Sequence, residues 1–162
     1  MSVALQKELQ QTKPFASLEE AAYLSVLVTA ERFKTNASHI FKQKDLTAAQ
    51  YNVLRILRGA GEDGISCTAI SGRMITRDSD ITRMLDRLEA RGLISRRRQA
   101  DDRRVVKAFI TEAGLGVLSE LDGPVGTFNQ DQMADLSEKE LRTLIKLLEK
   151  ARGGMANKGE KI

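Results

Sequence analysis

The chain has 162 residues, 41% apolar and 30% charged, an ordinary composition for one globular domain and enough length to bury a core. No run approaches the roughly 18 to 20 apolar residues of a membrane span, and the start lacks the basic-then-apolar order of a secretory signal, so a cytoplasmic protein without membrane contact is expected. The single cysteine, Cys67, and single histidine, His39, allow no internal disulfide, metal cluster or nucleophile–base pair, so no metal, cofactor or catalytic residue is expected.

In chain order, residues 1–17 read as an N-terminal arm of mixed character. Ser17 and Glu20 have the spacing of a capping box, which starts a helix at Leu18, and nothing breaks it before about Lys44. Some 25 helical residues would be ~37 Å long, more than a small core needs. Leu24, Leu27, Val28, Phe33, Ile40 and Phe41 spread beyond one stripe. The helix is therefore either deeply buried in its own core or in contact on two sides.

Thr47 and Gln50 repeat the capping form before a helix whose core face is Val53, Leu54 and Leu57, ending at residues 59–61. Residues 66–74 read as the first helix of a helix-turn-helix pair. Gly72 either sits inside that helix at a cost of roughly 1 kcal/mol or ends it early. From residue 76 to Gly92 a second helix carries Ile81, Met84, Leu85 and Leu88 on one apolar stripe. Ser79, Arg83 and Asp86 lie opposite, flanked by Thr76, Thr82 and Arg87, and Gly92 stops the helix with Arg91 at its negative end.

Two β-prone runs, 93–98 and 105–111, flank a polar turn and form a hairpin. Residues 91–107 hold seven Lys/Arg and two Asp, a net of +5, against +4 for the whole chain. The basicity is a local patch. Taken alone a charge run is a solvated face; beside a helix of this kind it marks a nucleic-acid surface.

Thr111 caps the next helix, in which residues 122–124, Asp-Gly-Pro, predict a kink or a break. Ser137 and Glu140 form a third capping pair before a helix with Leu141, Leu144, Ile145 and Leu148 on its face, and 153–162 is a flexible tail. Terminal helices that cannot cover their apolar faces on so small a lobe call for a second copy and a two-fold homodimer.

The run Thr-Arg-Met-Leu-Asp-Arg-Leu-Glu-Ala-Arg-Gly-Leu-Ile at 82–94, followed by Asp-Asp-Arg-Arg-Val-Val at 101–106 and Ile-Thr-Glu-Ala-Gly at 110–114, resembles the MarR family of bacterial winged helix-turn-helix regulators. The resemblance covers residues 18–152. It implies a mainly α fold with a small antiparallel β-wing, a DNA-binding lobe at 46–111, and dimerisation helices at 18–45 and 112–152. Ile65 then resembles the short strand that closes the wing sheet, and the first helix packs on its own lobe and on the partner subunit. Two departures stand out. Family helices run straighter where Pro124 falls, and wings often carry an acidic residue where Gln99 stands, which thins the orienting network.

The resemblance implies a DNA-binding transcriptional regulator, commonly a repressor, that meets double-stranded palindromic DNA with half-sites ~34 Å apart. Candidate DNA contacts are Thr76, Arg77, Ser79, Thr82, Arg83 and Arg87 in the major groove, Arg103 or Arg104 in the minor groove, and Arg96, Arg97 and Arg98 on phosphates. Strand alternation keeps those last three from touching DNA at once. Asp101 or Asp102 would orient the wing arginine, and Asp78 and Asp80 read as structural residues or orienters of a neighbouring arginine.

Such regulators often answer to small aromatic or phenolic anions, for which Phe33, His39, Tyr51 and Arg55 are candidates. His39 is otherwise a packed or dimer-facing residue. Cys67 reads as a small hydrophobe near the lobe; oxidant-sensing relatives place their cysteine near the first helix, where this chain has none. The remaining alternatives are a regulator with no ligand, a winged-helix module for assembly or non-specific DNA coating, and an enzyme, which the absence of any catalytic constellation disfavours.

Overall fold

The computed structural model of the chain describes residues 3–75, 80–99 and 105–156. The expectations for Thr76, Arg77, Asp78, Ser79 and the wing tip, Asp101, Asp102, Arg103 and Arg104, therefore fall outside the described residues. The elements are α1 (Val3–Glu8), α2 (Leu18–Lys42), α3 (Ala48–Ala60), a 3-10 turn (Gly61–Asp63), β1 (Ile65–Ser66), α4 (Cys67–Arg73), α5 (Ile81–Ala90), β2 (Ile94–Arg98), β3 (Val106–Ile110), α6 (Glu112–Gln132) and α7 (Glu138–Ala156). The architecture is mostly helical with one three-stranded sheet. The chain divides into two compact units, residues 1–124 and 125–162.

Helix starts follow from side chains that satisfy otherwise orphaned N–H groups. Ser17 Oγ accepts from Glu20 N–H at 3.1 Å, while the Glu20 carboxylate takes the Ala16 N–H at 2.6 Å. Thr47 and Gln50 make the full reciprocal box at 3.1 and 2.9 Å. Ser66 caps α4 through Ala69 N–H, and Ser137 and Glu140 bond reciprocally at α7. Thr111 links two elements: its hydroxyl donates to Gly92 O and accepts from Gly114 N–H.

The core of the first unit lies where α3, α4 and α5 close over the sheet. Val53, Leu54, Leu57, Ile70, Leu85, Leu88 and Ala108 have no measurable exposure, and Leu118 and Leu121 of α6 join them at 0% and 2%. The strands run antiparallel in the order β1-β3-β2, with Ile65 opposite Ala108 and Arg96 opposite Ala108 on the other edge. Residues 94, 96 and 98 thus share one face and 95, 97, 107 and 109 the other.

One expectation changes and two open alternatives narrow. Residues 1–17 contain a helix, α1, and Leu5 and Phe15 pack with Ala21 on α2, with Leu9, Leu24 and Val28 around them. An ion pair at 2.8 Å between Glu8 and Arg32 adds to that contact. Gly72 does not end α4, which runs on through Arg73. Nor does Pro124 break α6, which is continuous to Gln132. Asp122, Gly123 and Pro124 are all exposed, so water can take the Glu120 carbonyl that loses its helical N–H partner.

Unit 125–162 holds the end of α6, a turn and α7. None of its described side chains is buried, although Phe128, Leu141, Leu144 and Leu148 are half-covered.

Gly114 is where α6 crosses closest to the sheet: a Cβ there would lie 2.2 Å from Leu93 O and 2.8 Å from Ile110 Cγ1. Gly116, two residues on, on the far side of the helix and exposed, has nothing within 4 Å. Although alanine is the better helix former, Gly114→Ala is expected to lose about 1–3 kcal/mol by forcing backbone apart. Gly116→Ala should gain up to about 1 kcal/mol. Urea midpoints at unchanged slope check both; equal effects of the two changes would refute the close crossing.

Candidate nucleic-acid interface

Helix α5 and the β2–β3 hairpin form one surface because of the turn between them. Gly92 has φ +69°, a left-handed conformation that glycine adopts freely. Its N–H donates to Glu89 O at 2.8 Å, and Leu93 N–H donates to Leu88 O at 3.0 Å, a Schellman closure. Leu93, 5% exposed, then tucks under the helix, and the chain returns along it as β2.

That reversal sets Arg96 against α5. Its guanidinium donates to Glu89 at 2.6 and 2.9 Å and to Asp86 at 2.6 Å, and its backbone N–H also donates to Glu89. The hydrogen bond from Arg96 holds the Glu89 carboxyl below its ordinary range, and the same bond raises the Arg96 pKa. Arg96 thus braces wing to helix, its guanidinium taken up by two carboxylates, a role the sequence-based expectation of a phosphate contact did not include. Glu89, absent from the predicted site, is its counterpart. Their seven-residue separation across a helix-stopping glycine was the available signal.

Arg97 lies on the opposite strand face. Its guanidinium sits 5.3 Å from the Phe109 ring centre, a cation–π contact that limits where the exposed charge can point. Lys107, directly across from Arg97, donates to Asp63 O at 3.1 Å and ties the hairpin to the 3-10 turn. Arg98 follows, exposed, at the end of the strand.

On α5, Met84, Leu85 and Leu88 are buried while Thr82, Arg83, Asp86 and Arg87 are exposed. At 100° per residue, Arg83 projects opposite the core, Thr82 and Asp86 flank it on the wing side, and Arg87 on the other. Asp80 pairs with Arg83 at 3.3 Å, in keeping with an orienting carboxylate. After α4, the Ile75 N–H donates to Asn52 Oδ1 at 3.0 Å, which ties that residue to α3. The described surface therefore presents hydrogen-bonding groups on a helix beside exposed arginines on a braced hairpin, a combination that fits a major groove and adjacent phosphates.

Of the effector candidates the structure brings two together. Tyr51 is buried and stacked on Phe41 at 4.6 Å, and the Arg55 guanidinium lies 5.9 Å from its ring centre. Phe33, half-buried, and exposed His39 stand elsewhere along α2 and are not joined to them. Cys67 is half-buried with Sγ 4.0 Å from Val106 O. Among the described residues no group of acidic, histidine or cysteine side chains could hold a metal, and no helix is long and apolar enough to cross a membrane.

Comparison with known proteins agrees with this geometry. Residues 46–106 match the family model described as MarR family. The HTH-type transcriptional repressor IacR of Pseudomonas putida is 30% identical over 118 residues, covering 73% of this chain and 70% of that protein. The HTH-type transcriptional regulator TtmR of Methylorubrum extorquens strain PA1 is 32% identical over 106 residues; the match takes in 65% of this chain but only 53% of that relative's length. Among solved structures, a MarR transcription factor from Planctomyces limnophilus is similar at 41% identity and a TM-score of 0.65, covering 84% of this chain and 98% of that one.

The brace makes an acid-sensitive prediction. Because the folded Glu89 pKa is depressed, its contribution to stability is complete above the ordinary value of 4.5 and is lost as pH falls through the lower folded value. Glu89→Gln should cost about 1 kcal/mol at pH 7, as a partly exposed ion pair would. The gap between wild type and variant should hold down to pH 5 and narrow below it. Thermal melts from pH 7 to 3 measure this, and a gap independent of pH would refute it.

Proposed function

The chain belongs to the MarR family of winged-helix, DNA-binding transcriptional regulators, which are not enzymes, and from that premise we propose that it is a repressor that binds palindromic promoter DNA as a homodimer. The observation that carries the reading is the braced pair of α5 and hairpin, with Thr82, Arg83 and Arg87 exposed on one and Arg97 and Arg98 on the other. In this reading α5 enters a major groove with its N-terminal end foremost. Thr76, Arg77 and Ser79 then act with Thr82 and Arg83 near base edges, and Arg103 or Arg104, directed by Asp101 or Asp102, reaches the adjacent minor groove.

Dimerisation is supported by the apolar surface that each unit leaves open. On α2, Tyr23, Val26 and Leu27 are 64%, 49% and 47% exposed, away from the face that α1 and Phe15 cover. On α7, Ile145 and Leu147 are 55% and 60% exposed. A second copy that covers such faces places two reading helices on one side of a duplex, about one helical turn apart. Repression agrees with the described role of IacR.

A small aromatic or phenolic anion is proposed as the releasing effector. Tyr51 and Arg55 offer a ring and a cation near the junction of α2 and α3, and ligand binding would act by changing the separation of the reading helices.

Footprinting on the intergenic DNA beside the gene should give paired protections about ten base pairs apart. Arg83→Ala should lose ~1 to 3 kcal/mol on that site and much less on unrelated DNA. Arg97→Ala should weaken all sequences alike and reduce the slope of log affinity against log salt by about one. Equal affinity for operator and random competitor DNA would make the protein a non-specific coating module instead.

A further inference from the structure

Arg91 closes α5 and does something more than favour the helix dipole. Its Nη1 donates to Asp45 O at 2.6 Å and its Nη2 to Lys44 O at 2.8 Å. Those carbonyls belong to the turn that ends α2, where Lys44 and Asp45 N–H groups bond back to Phe41 O and Lys42 O and Asp45 has φ +50°. Two bonds from one planar fork to successive carbonyls resist rotation as well as separation. The same turn is tied onward, since the Lys44 ammonium pairs with Glu120 of α6. Arg58 of α3 makes a two-pronged pair with Asp122 of α6 at 2.7 and 3.1 Å. The C-terminal end of the reading helix is thereby pinned to the end of the helix that carries the open apolar face.

The lever is long enough to matter. Ten residues of α5 extend about 15 Å from this pin toward the end that would meet DNA, so a tilt of roughly 10° moves that end by about 2.6 Å, a large part of the ~3.4 Å rise of a base pair. We propose that Arg91 is the positioning residue that sets the separation of the two reading helices, and with it the half-site spacing the protein accepts. The proposal rests on the dimeric DNA-binding reading above. It assigns Arg91 no contact with DNA.

The test uses the full-length protein and its footprinted operator, with one or two base pairs inserted or deleted at the centre, and an isolated half-site as reference. Wild type should lose about tenfold or more in affinity per base pair of altered spacing. Arg91→Ala should lose less than about threefold across the same series, with half-site affinity unchanged, because only the relative placement of the helices has been loosened. Arg91→Lys, which keeps the charge without the planar fork, should fall between the two. Should the alanine variant fail to fold, the lysine variant carries the test, with a spacing loss smaller than that of wild type as its criterion. A variant whose spacing profile parallels that of wild type overturns the assignment while leaving the regulator intact. A wild type that shows a footprint but no spacing preference overturns the dimeric reading and this inference with it.

Discussion

The reversal at Gly92 is the constraint from which the rest of the interface follows. A helix that ends in a residue at φ +69° sends its next strand back along its own side, and here that strand brings Arg96 to the carboxylates of Glu89 and Asp86. Without the turn, α5 and the hairpin would be two elements joined by a hinge, and a groove-reading helix would say nothing about where the adjacent arginines fall. With it they move as one body. The core beneath is continuous, from Leu85 and Leu88 through Ile94 to Ala108, so tilting the hairpin would open packed apolar contacts as well as an ion pair.

Much of this was legible in the sequence because the signals are local. Ser17, Thr47 and Ser137 start helices through hydroxyls that reach an N–H three residues on, and Gly92 stops one for lack of a Cβ. The apolar stripe of Met84, Leu85 and Leu88 marked the buried side of α5 by period alone. What escaped depends on partners distant in the chain. The helix α1 is six residues long, below what local propensity sustains, and it exists against α2 through Leu5 and Phe15. Arg96 looked like its neighbours Arg97 and Arg98 until the register placed Ala108 opposite it and α5 beside it. Pro124 pointed to a kink or a break because the cost of a lost hydrogen bond is written in the sequence, whereas the solvent exposure that lets the helix continue through it is not.

The structure also changes how the basic patch is counted. Of the five described cations between 91 and 107, Arg96 is offset by two carboxylates, while Arg91 and Lys107 are held by backbone carbonyls. Arg97 and Arg98 are the ones exposed on the strand with no described hydrogen bond. Formal charge therefore overstates the number of phosphates this segment can neutralise, and counterion release scales with contacts made rather than with residues present. Of these five described cations, three build the surface and two are left to use it.

The same division bears on the proposed dimer, because one lobe leaves few groups free to read DNA. One reading helix and one wing contact too few bases to single out a site in a genome, so discrimination must come from requiring two such contacts at a fixed interval. A fixed interval needs a stiff connection from the reading helix to whatever joins the copies. In the proposed dimer that connection would run from the C-terminal end of α5 into the turn after α2, a helix that leaves Tyr23, Val26 and Leu27 uncovered on one side while its own arm covers the other. Its stiffness would lie in the hydrogen bonds from Arg91 to the Lys44 and Asp45 carbonyls, which are held by the turn itself and not by the rotamer of a partner side chain. A ligand that disturbed that turn would therefore act on the interval before it touched the reading surface.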